Sequence, residues 1–212
     1  MKLIPIAAVL ALTATAPAAA DTDVPGRFDY YVLAISWSPT WCAMEGNARQ
    51  APQCDPDRRT GFVVHGLWPQ YERGWPDHCD SAVRDPSRRE SRAMADIMGS
   101  AGLAWYQWQK HGRCSGLSAA GYYQAIRDAA ATVTIPPLFG MLPRDVTLPA
   151  AVIEEAFIET NPDLAADGIT VTCDGRRLDE VRICLTRNLQ PRDCAPDIRR
   201  DCRGAMLMEA PG

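Results

Sequence analysis

Two short segments of the chain contain residue types that can transfer protons. Positions 62–70, FVVHGLWPQ, place His65 at the end of an apolar run. Positions 105–114, WYQWQKHGRC, place Lys110 directly before His111. Histidine has an ordinary pKa near neutral pH, so two histidines can act as a general base and a general acid. A lysine beside them supplies fixed positive charge that stabilises negative charge as it develops in a reaction.

Each segment taken alone also has a structural interpretation. His65 could be a core histidine that packs against a tryptophan. The second segment could be an amphipathic helix with Trp105 and Trp108 in the core and a solvated Lys–His end, where positive charge suits the helix dipole. Residues four apart on such a helix share a face, as Gln107 and His111 do. Neither segment decides between the two interpretations by itself.

Lysine and histidine are scarce in this sequence. Lys2 and Lys110 are the only lysines, and the three histidines are His65, His78 and His111. The preference for arginine over lysine is most simply a matter of genomic composition. The one lysine after residue 20 nevertheless lies next to a histidine. His78 belongs to neither segment, and we expect it at the surface.

A folded domain must position the two segments, and the surrounding sequence predicts its strands. Residues 28–37 and 60–65 are rich in apolar, aromatic and β-branched side chains and predict two strands. Residues 38–59 predict a loop and residues 66–85 an irregular segment, because proline and glycine interrupt both.

Four helices are predicted in the middle of the sequence. Ser87 and Glu90 have the spacing of a capping box, which opens a helix that buries Met94, Ile97 and Met98. The other three are expected at residues 103–111, from the cap Ser118 through Ala131, and at residues 149–160 with Pro149 in the first turn.

The fold class follows from these elements. Residues 169–173 and 178–185 alternate around Asp174-Gly175, which is typical of a β-hairpin. Strands at both ends of the chain and helices between them predict an α+β fold, with a central antiparallel sheet and helices packed on it.

The first twenty residues predict a signal peptide. Lys2 gives a positive start, residues 3–15 are apolar, and Ala18-Ala19-Ala20 forms a small-residue cleavage site. The apolar run is shorter than the ~20 residues that span a bilayer. We therefore expect residues 1–20 to be removed on export. Residues 21–212 would then form a single secreted or periplasmic domain that does not enter the membrane.

All eight cysteines follow the predicted cleavage site. An even number of cysteines in an oxidising compartment predicts four disulfides, although spacing alone does not choose among the pairings. The sequence has no Cys-x-x-Cys pair and no histidine pair at ligand spacing, which argues against structural zinc. We expect no metal and no cofactor.

The net charge limits the kind of nucleic-acid partner. The formal charge of the full sequence is −4, which argues against a protein that coats nucleic acid through a broad basic face. An RNA-cleaving protein of this charge must hold the phosphate in a local site. It should favour acidic pH, where histidines become charged.

In combination, the two segments resemble the active-site motifs of the T2 ribonuclease family, HGLWP and a helical block ending in KHG-x-C. They stand here at residues 65–69 and 110–114. The similarity continues in ISWSP at residues 35–39 and in LDEVRIC at residues 178–184. It spans nearly the whole chain after the predicted signal peptide and implies a disulfide-stapled fold of the T2 type.

The resemblance implies a monomeric, metal-independent endoribonuclease that acts on single-stranded RNA. The ribose 2′-OH attacks the neighbouring phosphorus while one histidine removes its proton and the other protonates the departing 5′-oxygen. The product is a 2′,3′-cyclic phosphate, and DNA, which lacks the 2′-OH, should not be cut. We assign His111 as the base, His65 as the acid and Lys110 as the stabilising cation, while the order of the two histidines stays open.

The resemblance also implies the disulfide pairs Cys42–Cys54, Cys79–Cys114, Cys173–Cys202 and Cys184–Cys194. The second pair would tie the helix that carries His111 to the loop after His65, which is what a rigid two-histidine site requires.

Aromatic and polar residues near the first motif predict a base-binding pocket. Trp68 offers a stacking surface for a base. Gln70 stands where the family often uses a polar side chain to contact a base, and Tyr71 or Trp75 would complete the pocket. Each of them could equally anchor a loop on the core.

The second motif departs from the family pattern. The family commonly has His-Glu-Trp where this chain has Tyr106, Gln107 and Trp108. Tyr106 and Gln107 can still hydrogen-bond to a phosphate oxygen, but neither carries the charge of the residue it replaces. We expect Gln107 to act in catalysis and Tyr106 in substrate binding, in an active and slower enzyme.

Two alternatives from other functional classes remain. One is a T2-like RNA-binding protein whose catalysis is weakened or lost because of Gln107. The other is a disulfide-rich exported binding protein unrelated to RNA. Release of acid-soluble nucleotides from RNA would distinguish the endoribonuclease hypothesis from these two alternatives.

Overall fold

A single sheet of six strands organises residues 23–211, which are the residues that the computed structural model describes. The strand order is β2-β1-β5-β6-β3, and β4 also pairs with β5. The predicted signal peptide lies outside the described residues. The strands are β1 (Tyr30–Trp37), β2 (Phe62–Gln70), β3 (Val146–Pro149), β4 (Ile169–Asp174), β5 (Arg177–Leu185) and β6 (Ala205–Met208).

Seven α-helices accompany the sheet in this part of the chain, three of them about one turn long. They are α1 (Ser38–Trp41), α2 (Arg88–Ala93), α3 (Ala95–Met98), α4 (Ala101–Lys110), α5 (Ala119–Ala131), α6 (Pro137–Gly140) and α7 (Ala150–Thr160). The α+β prediction is confirmed. The sheet is mixed rather than purely antiparallel, because Arg177 of β5 pairs in parallel with Leu207 of β6.

The prediction that the second strand ends at His65 is wrong. Strand β2 continues to Gln70 and pairs antiparallel with β1 along its whole length, so the HGLWP segment is a strand and not a loop. Proline is tolerated there because β2 is an edge strand, where one row of backbone groups needs no partner. The irregular segment therefore begins after Gln70.

The predicted loop after β1 is also more ordered than expected. Pro39 lies in the first turn of α1, where its fixed φ suits a helix and its missing N–H costs nothing. A short π-helix follows at Cys42–Gly46, and single 3₁₀ turns follow at Pro52–Cys54 and Pro56–Arg58.

The side chains that begin the middle helices satisfy backbone N–H groups that would otherwise lack partners. Ser87 and Glu90 form the predicted capping box at α2. Ser118 accepts a hydrogen bond from the backbone of Gly121 at α5. The next predicted boundary differs, because Pro149 ends β3 and precedes α7 as its N-cap instead of lying in the first turn.

The hydrophobic core lies between the sheet and the middle helices. Trp108 of α4, Tyr122 of α5 and Leu67 of β2 are fully buried in it. The Tyr122 hydroxyl donates a hydrogen bond of 2.8 Å to the carbonyl oxygen of Leu67. This contact fixes α5 on the strand that carries His65.

Four disulfides join the loops and strand ends: Cys42–Cys54, Cys79–Cys114, Cys173–Cys202 and Cys184–Cys194. These are the pairs that the family resemblance implies. The predicted hairpin is confirmed as β4 and β5. Strands β3 and β6 were not predicted. No helix within residues 23–211 is long and apolar enough to span a membrane.

Candidate active site

Two adjoining cavities open on the side of the molecule where β2, β5 and α4 meet. The first, of about 400 Å³, contains both histidines of the two motifs and is called here the histidine cavity. The second, of about 500 Å³, shares His65, Tyr106 and Asp179 with it. The histidine cavity is lined by His65, Trp68, Gln70, Trp75, Tyr106, Gln107, Lys110, His111, Asp179, Glu180, Arg182 and Ile198.

His65 occupies an irregular position in β2. Val64 pairs with Ile35 of β1 and Gly66 pairs with Ala34, so His65 is an extra residue between two paired ones. Such a bulge turns a side chain out of the regular alternation. The imidazole is 30% exposed, and its Nδ1 contacts Oε1 of Glu180.

His111 lies in different surroundings, directly after the last residue of α4. His111 is only 5% exposed, and its Nδ1 is buried without a hydrogen-bond partner among the described residues. Burial, together with the positive charge of Lys110, lowers the pKa of His111 to about 3. The imidazole is therefore uncharged across the mildly acidic range.

Trp68 connects the two motifs. Its ring stacks on that of His111 with centroids 5.2 Å apart and an interplanar angle of 27°. Its Nε1 donates a hydrogen bond of 2.7 Å to Oε1 of Gln107. A Cβ at Gly66 would lie 2.6 Å from Trp68 Nε1 and would collide with the Gln107 side chain. Only glycine at position 66 leaves room for this contact.

The stacking surface of Trp68 is smaller than the sequence predicts. His111 covers part of the ring, and the guanidinium carbon of Arg182 lies 5.2 Å from the ring centroid. The exposed aromatic residues of the cavity are Trp75, at 54%, and Tyr106, at 49%. These two rings are free to meet a base.

Contacts from the preceding loop hold the end of α4 in place. The backbone N–H of His78 donates to the Lys110 carbonyl at 2.8 Å, and the disulfide Cys79–Cys114 fixes the adjacent turn. The His78 side chain is 59% exposed, as predicted. Lys110 itself lies with its Nζ 6.0 Å from the centroid of the Tyr106 ring.

A carboxylate anchors α4 from the same loop. Oδ1 of Asp85 accepts hydrogen bonds from Trp108 Nε1 at 2.7 Å and from Arg113 at 2.8 Å. These bonds, that of Trp108 first, lower the pKa of Asp85. A charged anchor of this kind fixes the helix that carries Lys110 and His111.

The structure places some of the predicted base-pocket residues at the histidine cavity and others outside it. Gln70 lines the histidine cavity but is 2% exposed, and its Nε2 donates to the Pro69 carbonyl at 2.9 Å. Tyr71 does not line either cavity, and its hydroxyl donates to Asp23 Oδ1 at 3.1 Å. Trp75, the alternative to Tyr71, does line the histidine cavity.

Three charged residues of β5 belong to the site but were missed as site residues. They are Asp179, Glu180 and Arg182, and all three line the histidine cavity. The LDEVRIC segment contains them, and the alternation of Glu180 and Arg182 two positions apart places both on one face of the strand. Charged residues on a central strand were the signal that could have indicated a site.

The described residues hold no group of three or more His, Cys, Asp or Glu side chains that could bind a metal ion. The cavity instead combines two imidazoles in unlike environments with the cations Lys110 and Arg182. An uncharged imidazole can accept a proton, a charged imidazole can donate one, and the cations can stabilise an anion between them.

Comparisons with known proteins indicate the family of the chain. A sequence model of the ribonuclease T2 family matches residues 28–194. "Ribonuclease" of Aeromonas hydrophila is 45% identical over 103 residues, which cover 49% of this chain and 45% of that protein. The chain therefore matches about half the length of this relative. Ribonuclease I of Escherichia coli strain K12 is 24% identical over 208 residues, 76% of each protein.

Solved structures share the fold. An RNase-related protein from Calystegia sepium has a TM-score of 0.66 and 23% identity, with 87% of this chain and 97% of that chain covered. RNase NT, solved in complex with 5′-AMP, has a TM-score of 0.60 and 22% identity, with 87% and 98% covered.

Proposed function

Because the chain belongs to the ribonuclease T2 family, we propose that it is an endoribonuclease that cleaves single-stranded RNA by transphosphorylation. The observation that carries the proposal is that His65, His111 and Lys110 line one cavity although two different elements supply them. This is the set of groups that attack by a 2′-OH requires: a base, an acid and a cation.

The unlike environments of the histidines support separate roles. His111, whose pKa is lowered by burial, is uncharged and suits the base that takes the 2′-OH proton. His65 contacts the carboxylate of Glu180, which stabilises a positively charged ring and suits the acid that protonates the 5′-oxygen. Unlike environments of two titratable groups are a general basis for assigning acid and base.

The paired cavities support a substrate that extends on both sides of the reacting phosphate. They meet at His65, Tyr106 and Asp179, so a phosphate beside His65 would place one nucleotide in each. Trp75 and Tyr106 present half-exposed rings for base stacking, which contributes ~1–3 kcal/mol per base. Trp68 and Gln70 would contribute mainly by shaping the wall.

Gln107 acts in this proposal through Trp68. Its carboxamide oxygen accepts the Trp68 indole hydrogen bond and so fixes the ring on which His111 stacks. A neutral side chain suffices for this contact. The experiment below distinguishes this endoribonuclease from the alternative, a T2-like protein that binds RNA without cleaving it.

Cleavage is measured with the oxidised protein, EDTA and a single-stranded oligoribonucleotide between pH 4 and 8, with the matching oligodeoxyribonucleotide as control. We expect RNA fragments ending in 2′,3′-cyclic phosphate, which mass spectrometry identifies, and intact DNA. No RNA cleavage at any pH, together with RNA binding that weakens as salt rises, would favour the non-cleaving alternative. Cleavage that EDTA abolishes would contradict the metal-independent mechanism.

We also propose that residues 1–20 are removed on export and that residues 21–212 work as one monomeric domain outside the cytoplasm. The four disulfides support an oxidising compartment. N-terminal sequencing of the protein recovered from periplasm and medium, with its mass in solution, tests this. A first residue other than Asp21 or a mass of two chains would contradict it.

A further inference from the structure

Glu180 is a buried carboxylate in contact with the histidine that we assign as the acid. Its residue is 3% exposed, and its Oε1 meets Nδ1 of His65. The two residues are 115 positions apart in sequence and lie on strands that are not neighbours, because β1 runs between β2 and β5. A contact across an intervening strand requires space above that strand.

Small residues of β1 provide that space. Ser36 is the cross-strand partner of Glu180, and Ala34 is the partner of Arg182. Cross-strand partners project from the same face of a sheet, so two short side chains lie beneath the Glu180 carboxylate. The Ser36 hydroxyl also donates to Oε1 of Glu180 at 3.3 Å. A larger residue at either position would block the path to His65.

Arg182 fixes the other end of the carboxylate. Its Nε and one terminal nitrogen lie 2.9 and 2.8 Å from Oε2 of Glu180. Burial alone would raise the pKa of Glu180, but the hydrogen bond from His65 and the positive charges of His65 and Arg182 outweigh it and hold the pKa at about 2. The group is thus a fixed anion at every pH at which the protein would work.

We propose that Glu180 is a positioning residue of the reaction, which holds His65 by Nδ1 so that Nε2 faces the cavity and stabilises the charged ring. Arg182 supports it by orienting the carboxylate. The inference rests on the proposed function, in which His65 is the acid. It assigns a role to the strand β5, which contributes no residue to the two recognised motifs.

Other charged and titratable groups also face His65 and share in its electrostatics. They come from β5, from α4 and from the residue directly after α4, and they are Asp179, Arg182, Tyr106, Lys110 and His111. Among the charged groups of the cavity, Glu180 contacts the His65 ring directly, through its Oε1 on Nδ1. Removing the charge of Glu180 should therefore change the pH dependence of activity more than removing the charge of a distant carboxylate.

The kinetic test compares Glu180→Gln with Glu209→Gln. Glu209 is a fair control because it also pairs with an arginine, Arg177, but lines neither of the two cavities. We expect Glu180→Gln to lower kcat/KM by about 100-fold, in line with the loss of groups that orient a catalytic imidazole. We expect the alkaline limb of its pH profile to move to lower pH, and Glu209→Gln to keep both rate and profile.

Two results would overturn the inference, and only the second would also overturn the assignment of His65 as the acid. If His65→Ala is inactive while Glu180→Gln keeps the wild-type rate and profile, Glu180 has no positioning role and the proposed function stands. If His65→Ala is itself active, His65 is not the acid and the inference fails with that assignment.

A measurement on the unmodified protein covers the case in which Glu180→Gln does not fold. The chain has three histidines, so nitrogen NMR of ¹⁵N-histidine-labelled protein gives three resolvable rings. At alkaline pH we expect the proton of neutral His65 on Nδ1, where Glu180 holds it. A proton on Nε2 of His65 would overturn the inference without any variant.

Discussion

His65 and His111 have the same side chain but opposite surroundings. His65 is partly exposed beside a carboxylate, whereas His111 is buried beside a lysine and under a tryptophan ring. The pKa of a histidine falls when burial and neighbouring positive charge disfavour its charged form. The proposed division of labour between base and acid would therefore come from position and not from residue type.

The lowered pKa of His111 predicts activity well into the acidic range. As the base, His111 must be uncharged, and with a pKa of about 3 it stays so until the pH approaches that value. We expect kcat/KM, which reports the free enzyme, to be retained at pH 4.5 and to fall only near pH 3. A profile on a dinucleoside phosphate substrate checks this, and half-loss of activity near pH 6 would contradict it.

Gly66→Ala should damage the site more than the fold. Its new Cβ would lie 2.6 Å from Trp68 Nε1 and displace Gln107, leaving a donor without its acceptor. We expect a loss of about 1–3 kcal/mol in the free energy of unfolding and at least a tenfold loss of kcat/KM. Gly140→Ala is the control, because nothing lies within 4 Å of its Cβ. Equal kinetics for the two variants would show that the Trp68–Gln107 bond is dispensable.

Among single residues, the sequence indicated His65, Lys110 and His111 because each lies in a dense motif. It did not indicate Glu180, since the contact with His65 depends on strand order and on the small residues of β1. Those are properties of the assembled sheet. The role of Gln107 was also hidden, because its partner Trp68 belongs to the other motif.

At the scale of elements, the end of α4 is held to the preceding loop by the disulfide Cys79–Cys114. The bond closes a separation of 35 residues. On the chain-entropy account, replacing both cysteines by alanine should cost about 4 kcal/mol of stability. The control is the pair Cys184–Cys194, with a separation of 10, whose loss should cost about 1 kcal/mol less. Denaturant unfolding of the two double variants checks the order, and the reverse order would contradict it.

Helix α7 carries a second pH-sensitive contact, remote from the cavities. Burial, together with the nearby carboxyl of Asp201, raises the pKa of Glu154 to about 7. The folded protein therefore favours the protonated form. This contribution to stability is complete below the unfolded pKa of about 4.5 and is lost as the pH rises through about 7.

Glu154→Gln should make this part of the stability independent of pH, because an amide keeps the shape and cannot ionise. We expect the variant to be more stable than the wild type at pH 8 and to differ little from it at pH 4.5. Denaturant midpoints at the two pH values measure the effect, with Glu159→Gln, an exposed residue of the same helix, as control. Equal midpoints at pH 8 would show that the contact contributes nothing.

Helices and strands that are determined by a few neighbouring residues were predicted correctly. Strands whose extent depends on pairing with another strand were not. The capping box of α2 and the β4–β5 hairpin are encoded within a few residues, and both are present. The extension of β2 through Pro69 depends on its place at the sheet edge. Strands β3 and β6 are only four residues long and are stabilised by pairing with each other.

At the scale of the whole molecule, the proposed function requires an acidic protein to bind a polyanion. The net charge is −4, so attraction would rest on local cations such as Lys110 of the cavity, because Arg182 is already paired with Glu180. Few phosphate contacts imply a weak dependence of RNA binding on salt. Acidic pH assists by adding positive charge at histidine and removing negative charge from surface carboxylates.

The most direct test of the central claim is the rate of RNA cleavage by His65→Ala and His111→Ala beside the wild type and His78→Ala. All four are assayed in EDTA at pH 5 with disulfides verified. The two-histidine mechanism predicts cyclic-phosphate products for wild type and His78→Ala, and a loss of about 10²–10⁴-fold for each of the other variants. If either His65→Ala or His111→Ala cleaves within tenfold of the wild type, the two-histidine mechanism is contradicted.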